Sequence, residues 1–387
     1  MMPLHIANLL RTRRRAYGDQ FNLGDFPGII AAVDFTQASN MWKESSQTTL
    51  VDSYGQPIGS ALDVSGMGRH LFQSVNNNAP TWIGGIPSAY GSNILTNGTF
   101  DSDSDWTKGT GVTISGGVAT ASGTNGVIVE QTVAGLVAQT FYRMDFDILN
   151  RTGGGAKPGF SSPEEFFSRA LTNGSFARYG RAETGHTSFR MATAGNGVGY
   201  DIDNLQLRAV TTYTGTPGAY QHGVGPFLAS SYLIPTFALP CYLLVRVSRM
   251  PDEPFPASSI FGMGLSSTTR AVVQNSTSGT GSIRSEIRIS PDGQQRTGTP
   301  ANTYPEGATR TIEILWTSGN IVVSYDGNDI TDTHSYTTQT GTNWPFGTGA
   351  SGGSGAGGLA IIHKGLWSMG AVPTSEDRAA GRAWAEA

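Results

Sequence analysis

The chain has 387 residues, of which 52 are glycine, and only 14% are charged, against a usual charged share of about 25%. That balance disfavours a helical protein and suits many short strands joined by turns, and the 38% apolar content runs along the whole chain, which argues against disorder. A net charge of −4 gives no overall pull toward nucleic acid, and the lone Cys241 excludes an intrachain disulfide and an oxidised secreted framework.

Residues 1–28 stand apart. Ile6, Leu9 and Leu10 can line one side of a short helix, and Arg11, Arg13, Arg14 and Arg15 extend it as a basic surface. Two readings stay open for this stretch: a frayed, solvated terminus, or a peg that docks onto a larger assembly. The basic cluster follows a short apolar patch instead of preceding a long one, so it does not read as a signal peptide. The most apolar stretch, residues 231–247, carries Pro235, Pro240 and Arg246, which excludes a membrane span. These exclusions predict a soluble protein assembled in a cytoplasm.

Strand-like text begins at residues 28–35, and a turn-rich segment follows to Trp82. Residues 93–209 then read as a self-contained block, with NILTNGTFDSDSDW at its start and YDIDNLQLRAV at its end. Inside it, short alternating runs separated by glycine turns predict a β-sandwich. The termini of a compact sandwich often lie close together, so such a unit can sit in a loop of another domain, here residues 29–92 and 210–387. Downstream, 242–250, 258–265 and 282–290 are expected strands. Ile312, Ile314 and Trp316, then Ile321, Val323 and Tyr325, alternate around Ser318-Gly319-Asn320 as a hairpin with one buried face, and a turn follows at Asp326-Gly327. The chain closes on a short helix, with Thr374 and Asp377 spaced as a capping box and Trp384 placed to pin it to a sheet.

Trp42, the Gly55–Gly59 turn, the Asp63–Gly68 turn, the hairpin ending SYDGND and the closing segment from Gly358 together resemble the concanavalin A-like (laminin-G-like) domains of phage tail, fibre and spike proteins. The match is imperfect at SYDGND, where the spacer between Tyr325 and Asp326 is missing. Residues 93–209 resemble a carbohydrate-binding-module jelly roll, on Asn97, Gly98, Phe100, Asp101 and Trp106 at its opening and Ile202, Asp203 and Asn204 at its close, with Leu205 in place of valine. The resemblance implies an all-β fold: a concanavalin A-like β-sandwich interrupted by a second, jelly-roll β-sandwich, with a helical or extended N-terminal anchor and a C-terminal helix. It also implies a structural calcium held by Asp101 and Asp203, against the alternative of an acidic turn without an ion.

Chemistry is sparse. Asp145 with Asp147, and Asp201 with Asp203, have the alternate spacing of a retaining glycosidase pair, but neither sits in the E-x-D-x-x-E setting that the resemblance to the concanavalin A-like fold implies for its glycosidases. Both pairs read more readily as solvated or structural carboxylates. His5, His70, His186, His222, His334 and His363 show no metal-ligand spacing. The formal G-x-G-x-x-G and G-x-S-x-G matches at 347–353 fall in a low-complexity glycine run and are accidents of composition. Asp101, Asp103 and Asp105 lack the glycine and glutamate of an EF-hand loop. Trp106, Tyr142 and Tyr179 are the aromatic candidates for stacking on sugar rings, although such residues fill cores by default.

The expected function is therefore a non-enzymatic virion protein, a spike, fibre or tail-associated component. It would attach to other virion proteins through Leu9, Leu10 and the four arginines, and grip host surface polysaccharide as a homo-oligomer, with no nucleic-acid or membrane partner. The alternatives are a capsular polysaccharide depolymerase and a purely architectural decoration protein.

Overall fold

The computed structural model describes residues 22–72, 79–123, 126–161, 165–166, 170, 172–193, 199–220, 240–251, 259–264, 270–275, 283–288, 307–317, 320–333, 346–347 and 360–387. Leu9, Leu10 and Arg11 to Arg15, the turn at Ser318-Gly319 and nearly all of the glycine run lie outside them. The described chain is all-β except for short 3-10 turns and one closing helix, and no helix among these residues is long and apolar enough to cross a membrane.

One frame is an antiparallel sheet of eight strands. Its order is Asn328–Thr333, Asn320–Tyr325, Thr309–Trp316, Cys241–Arg249, Ala360–Met369, Gly218–Tyr220 and Thr81–Ile83, with Ile29–Asp34 also paired to Ala360–Met369. Leu243, Val245, Val247, Ile312, Ile314, Trp316 and Trp367 point from one face into a core shared with Val33, Phe35, Met41, Ile58 and Leu71. The alternate residues Tyr242, Leu244, Leu315 and Leu366 point the other way, onto Phe26, Ala385 and the half-buried Trp384. Burial on both sides explains the near-continuous apolar text CYLLVRVSR, which a one-faced strand does not need.

The hairpin expectation needs one correction. Thr309–Trp316 does pair with Asn320–Tyr325, Ile314 facing Val323, and the chain turns at Asp326 and Gly327 with φ of 47° and 86°, as a two-residue hairpin loop requires. But its first strand is buried on both faces, since Thr311 and Glu313 are covered as fully as Ile312 and Ile314. The cover is the helix Ser375–Glu386, whose capping box forms between Thr374 and Asp377. From this helix Arg378 Nε reaches Glu313 Oε2 at 3.0 Å and Arg382 Nη1 reaches Glu313 Oε1 at 2.6 Å.

The middle of the chain builds a second frame of two sheets. One runs Glu165–Phe166, Ala156–Phe160, Ser188–Thr193, Val127–Thr132, Thr107–Lys108. The other runs Gly174–Ala182, Thr140–Gly153, Gly199–Thr214, Val118–Ser122, Val112–Ser115. Tyr142, Met144, Phe146 and Ile148 alternate inward from Thr140–Gly153 and meet Ile128, Phe160, Phe189, Met191, Ile202 and Leu207 in a core separate from that of the eight-stranded sheet. The opening and closing turns touch: Leu205 N–H donates to Gly98 O at 2.9 Å, and a Cβ on Gly98 would lie 2.1 Å from Leu205 O, so only glycine fits there.

The two frames are joined by more than a pair of linkers. Residues 86–90 pair with 210–214 at the end of the 16-residue strand Gly199–Thr214, so the ladder runs past both 93 and 209. Phe141, Ala177 and Tyr179 on the outer face of the middle sheet share an apolar cluster with Ile83, Tyr220, Met250 and Ile361 of the other frame. Inside this interface the buried Arg181 pairs with Glu183 and donates to Thr81 Oγ1 at 3.0 Å.

Candidate functional site

The three aromatic candidates are corrected by their burial. Trp106 is 7% exposed, Tyr142 and Tyr179 each 1%, so none offers a ring face to a sugar. Trp106 packs on Phe100 and donates from Nε1 to Asn97 O at 2.9 Å. Tyr142 points into the middle core, its hydroxyl accepting from Val137 N–H at 2.9 Å. Tyr179 lies in the interface, its hydroxyl 3.0 Å from that of Tyr90.

The carboxylate pairs are held by neighbours. Asp145 accepts from Arg143 Nε at 2.7 Å and Arg208 Nη2 at 2.5 Å. Asp147 accepts from Asn204 Nδ2 at 2.6 Å, and Asp201 from Thr120 at 2.6 Å and Asn150 at 2.7 Å. Asp203 faces Asp147 across the ladder; burial first, then the charges of Asp147 and Asp101, push its carboxyl above the ordinary range. The oxygen donors suit a hard cation. Among the described residues, however, no group of three or more His, Cys, Asp or Glu side chains is arranged to hold a metal ion.

One contact was invisible in the sequence. Ser248 Oγ lies 2.7 Å from His363 Nε2, and His363 Nδ1 lies 2.9 Å from Pro217 O. Serine beside an oriented histidine is the arrangement of an activated nucleophile, but both residues are at most 2% exposed inside the eight-stranded sheet and meet no substrate. Burial, chiefly, lowers the imidazole to about 4, so the ring is neutral at pH 7.

Among the described residues, one open feature is a cleft where the two frames meet, about 590 Å³ in volume and lined by Tyr54, Gly84, Gln139, Thr140, Phe141 and residues 210–213. That volume is in the range of ligand sites. Tyr54 remains 46% exposed, propped against Trp82 and Tyr213 at ring-centre distances of 4.5 and 5.5 Å. Trp82 is fixed in turn by its Nε1 donating to Phe35 O at 2.9 Å. Gly84 makes the arrangement possible, since a Cβ there would lie 2.9 Å from Tyr54 Cε2 and 3.0 Å from Tyr213 Cδ2. Gly55 holds φ of 92° where a Cβ would strike Gln139 O at 2.2 Å, which lets the Tyr54 loop sit against the middle frame. Burial pushes the Tyr213 phenol well up, so it stays a neutral hydroxyl.

Farther along the same sheet face, beyond Phe141 and Val210, lie Arg143, Asp145, Arg208 and Tyr90. Arg143 and Arg208 hold their guanidinium carbons 4.9 and 5.2 Å from the centre of the Tyr90 ring, within cation–π range. Burial works against the Arg143 charge, but the Tyr179 phenol, the bond to Tyr90 and Asp145 outweigh it and hold its pKa above the ordinary arginine value.

No protein-family model matches the chain, and no curated protein matches it. Solved structures are similar in part. A galectin, LEC-6 of Caenorhabditis elegans, is 15% identical over 35% of this chain and 88% of its own, with a TM-score of 0.24. The exoplasmic/lumenal domain of VIP36, in its Ca2+/Man3GlcNAc-bound form, is 13% identical over 38% of this chain and 75% of its own, with a TM-score of 0.22. Domains LG4-5 of the mouse laminin alpha1 chain are 9% identical over 64% of this chain and 86% of their own, with a TM-score of 0.26. Each is a partial likeness of backbone arrangement, and none assigns a family.

Proposed function

We propose that the chain is a non-enzymatic recognition protein that grips saccharide at the cleft between its two β-frames. The finer reading is a structural component of a phage or phage-like particle, a spike, fibre or tail-associated protein. In it, residues 1–28 attach to other virion proteins and the cleft engages host surface polysaccharide. Copies arranged as a symmetric homo-oligomer would raise avidity from weak single sites.

The observation that carries the binding reading is the makeup of the cleft. An exposed tyrosine ring, propped from behind by a tryptophan, stands among hydroxyl and amide groups, and the described lining residues include no carboxylate, histidine or cysteine. An aromatic face takes the C–H-rich side of a pyranose, while the polar groups beside it fix its orientation. Hydrolysis of a glycosidic bond needs a general acid and a second carboxylate at the bond, which this lining does not supply.

Purified protein incubated with the surface polysaccharide of a bacterial host tests the assignment. Retention of polymer at unchanged chain length is expected. New reducing ends would make the protein a depolymerase, and the absence of binding with loss of particle integrity on deletion would make it architectural.

A further inference from the structure

One side of the cleft gives onto a pair of arginines. Phe141 and Val210 line the cleft, and two residues along their strands, about 7 Å on, Arg143 and Arg208 stand directly opposite each other on the same sheet face. Like charges placed opposite one another destabilise a ladder. Asp145 serves as counter-ion to both, accepting from Arg143 Nε at 2.7 Å and from Arg208 Nη2 at 2.5 Å. One carboxylate is thus divided between two guanidinium groups, and among the described residues Arg208 has no other acidic partner.

The remaining charges nearby do not fill that need. Arg181 and Glu183 lie against Phe141 and Gln139, but they pair with each other and their side chains are only 0% and 11% exposed, so they present no net charge to the opening. Asp147 and Asp203 come next along the face, beyond Asp145 and Gln206, and mark where the positive stretch ends. Arg208 itself is within reach of solvent, its side chain 28% exposed. Asp145 holds one end of its guanidinium, and the Tyr90 ring, centred 5.2 Å from the guanidinium carbon, supports it. An arginine fixed in this way keeps further N–H donors in a planar fork, the geometry that carboxylate and sulfate groups accept.

From this we infer that the ligand of the cleft is an acidic saccharide, one ring stacked on Tyr54 and a carboxylate or sulfate farther along held by Arg208. The inference rests on the saccharide reading of the same cleft and adds the charge class of the ligand and the residue that selects it. Tyr54 packs against Tyr213, which lies five residues from Arg208 on one strand, about 16 Å along it. A single sugar does not span that distance, so the ligand is an oligomer or polymer.

The full chain is titrated, by calorimetry, with carboxylated polymers (polygalacturonate, alginate), a sulfated one (dextran sulfate) and uncharged ones (dextran, carboxyl-reduced polygalacturonate). At least one acidic polymer is expected to bind, and the class that does so tells which anion Arg208 takes. Its affinity should fall by about threefold or more between about 0.05 and about 0.5 M NaCl, because the exposed ion pair is screened. Arg208→Gln is expected to weaken binding by about tenfold and to flatten the salt dependence. Arg208→Lys recovers part of the loss, since the charge returns without the planar fork. Tyr54→Ala weakens binding by about tenfold at every salt concentration. Melting temperatures of the Tyr54 and Arg208 variants within about two degrees of the native chain separate loss of binding from loss of fold. Binding that ignores carboxyl reduction, salt and Arg208→Gln yet is lost in Tyr54→Ala would overturn the acidic class while keeping the cleft. Binding unmoved by either substitution would overturn the cleft as its site. No binding by any of these polymers, and none by the host's own polysaccharide, would overturn the saccharide reading itself.

Discussion

Behind the eight-stranded sheet, charge is buried and matched. Glu313, 1% exposed along its side chain, accepts from Arg378, Arg382 and the Tyr242 hydroxyl, and Arg378 passes on to Asp329 through bonds of 2.7 and 2.9 Å. At the junction the order differs: the described lining residues carry no charge, and an aromatic ring stays half exposed. Both regions are rich in aromatics, so composition does not separate them. What does is charge, which is buried and paired behind the sheet and absent from the described lining residues of the cleft. The charged network binds the closing helix to the sheet, and the Tyr54 ring at the junction is left open to solvent.

Three experiments press on that contrast, from the largest effect down. Glu313→Ala removes the acceptor that two arginines share and leaves cations facing a buried gap, so unfolding in denaturant should show a loss of about 3–5 kcal/mol. A loss under about 1 kcal/mol would mean that the helix is held by its apolar contacts alone. The second concerns His363, which Arg246, Asp34 and Lys364 surround at longer range. Its folded pKa of about 4 lies below the ordinary 6.5. Between those values the unfolded chain takes a proton that the folded chain refuses. Stability should therefore fall as pH drops from about 6.5 to about 4, by up to about 3 kcal/mol in total from this group, and the His363→Gln variant should lack that part of the slope. Equal slopes in the two proteins would place the acid sensitivity elsewhere. The smallest effect concerns calcium. A cation between Asp101 and Asp203 would offset the burial and, after it, the Asp147 and Asp101 charges that raise the Asp203 carboxyl, so added calcium should lift the melting temperature by about one or two degrees. The lift should vanish in Asp203→Asn. No lift in the native protein would leave these acids as an ion-free turn.

The local features were legible in the sequence because each is written in a few adjacent residues. Thr374 and Asp377 needed only their spacing to form the capping box, and Asp326-Gly327 only its turn chemistry. Features that depend on what packs against a strand were not legible. Thr311 and Glu313 sit at the polar positions of an alternating strand and read as solvent-facing until a helix more than 60 residues later supplies Arg378 and Arg382. Tyr142 could have been placed correctly, since it alternates in step with Met144, Phe146 and Ile148 and so shares their inward face. The cleft had the faintest signal. Tyr54, Gln139 and Tyr213 are far apart in the chain and individually ordinary. Only the pair Gly84-Gly85, just ahead of a strand, marked a place where other groups come close.

Hydrogen exchange of the full chain, with and without saturating polysaccharide, reads the location of binding without any substitution. Slowed exchange is expected at the amides of residues 53–56, 83–85, 139–141 and 210–213, with the back of the eight-stranded sheet unchanged. Protection gathered instead on the far sheet of the middle frame, residues 127–132 and 188–193, with those four segments unaltered, would contradict a binding site at the junction.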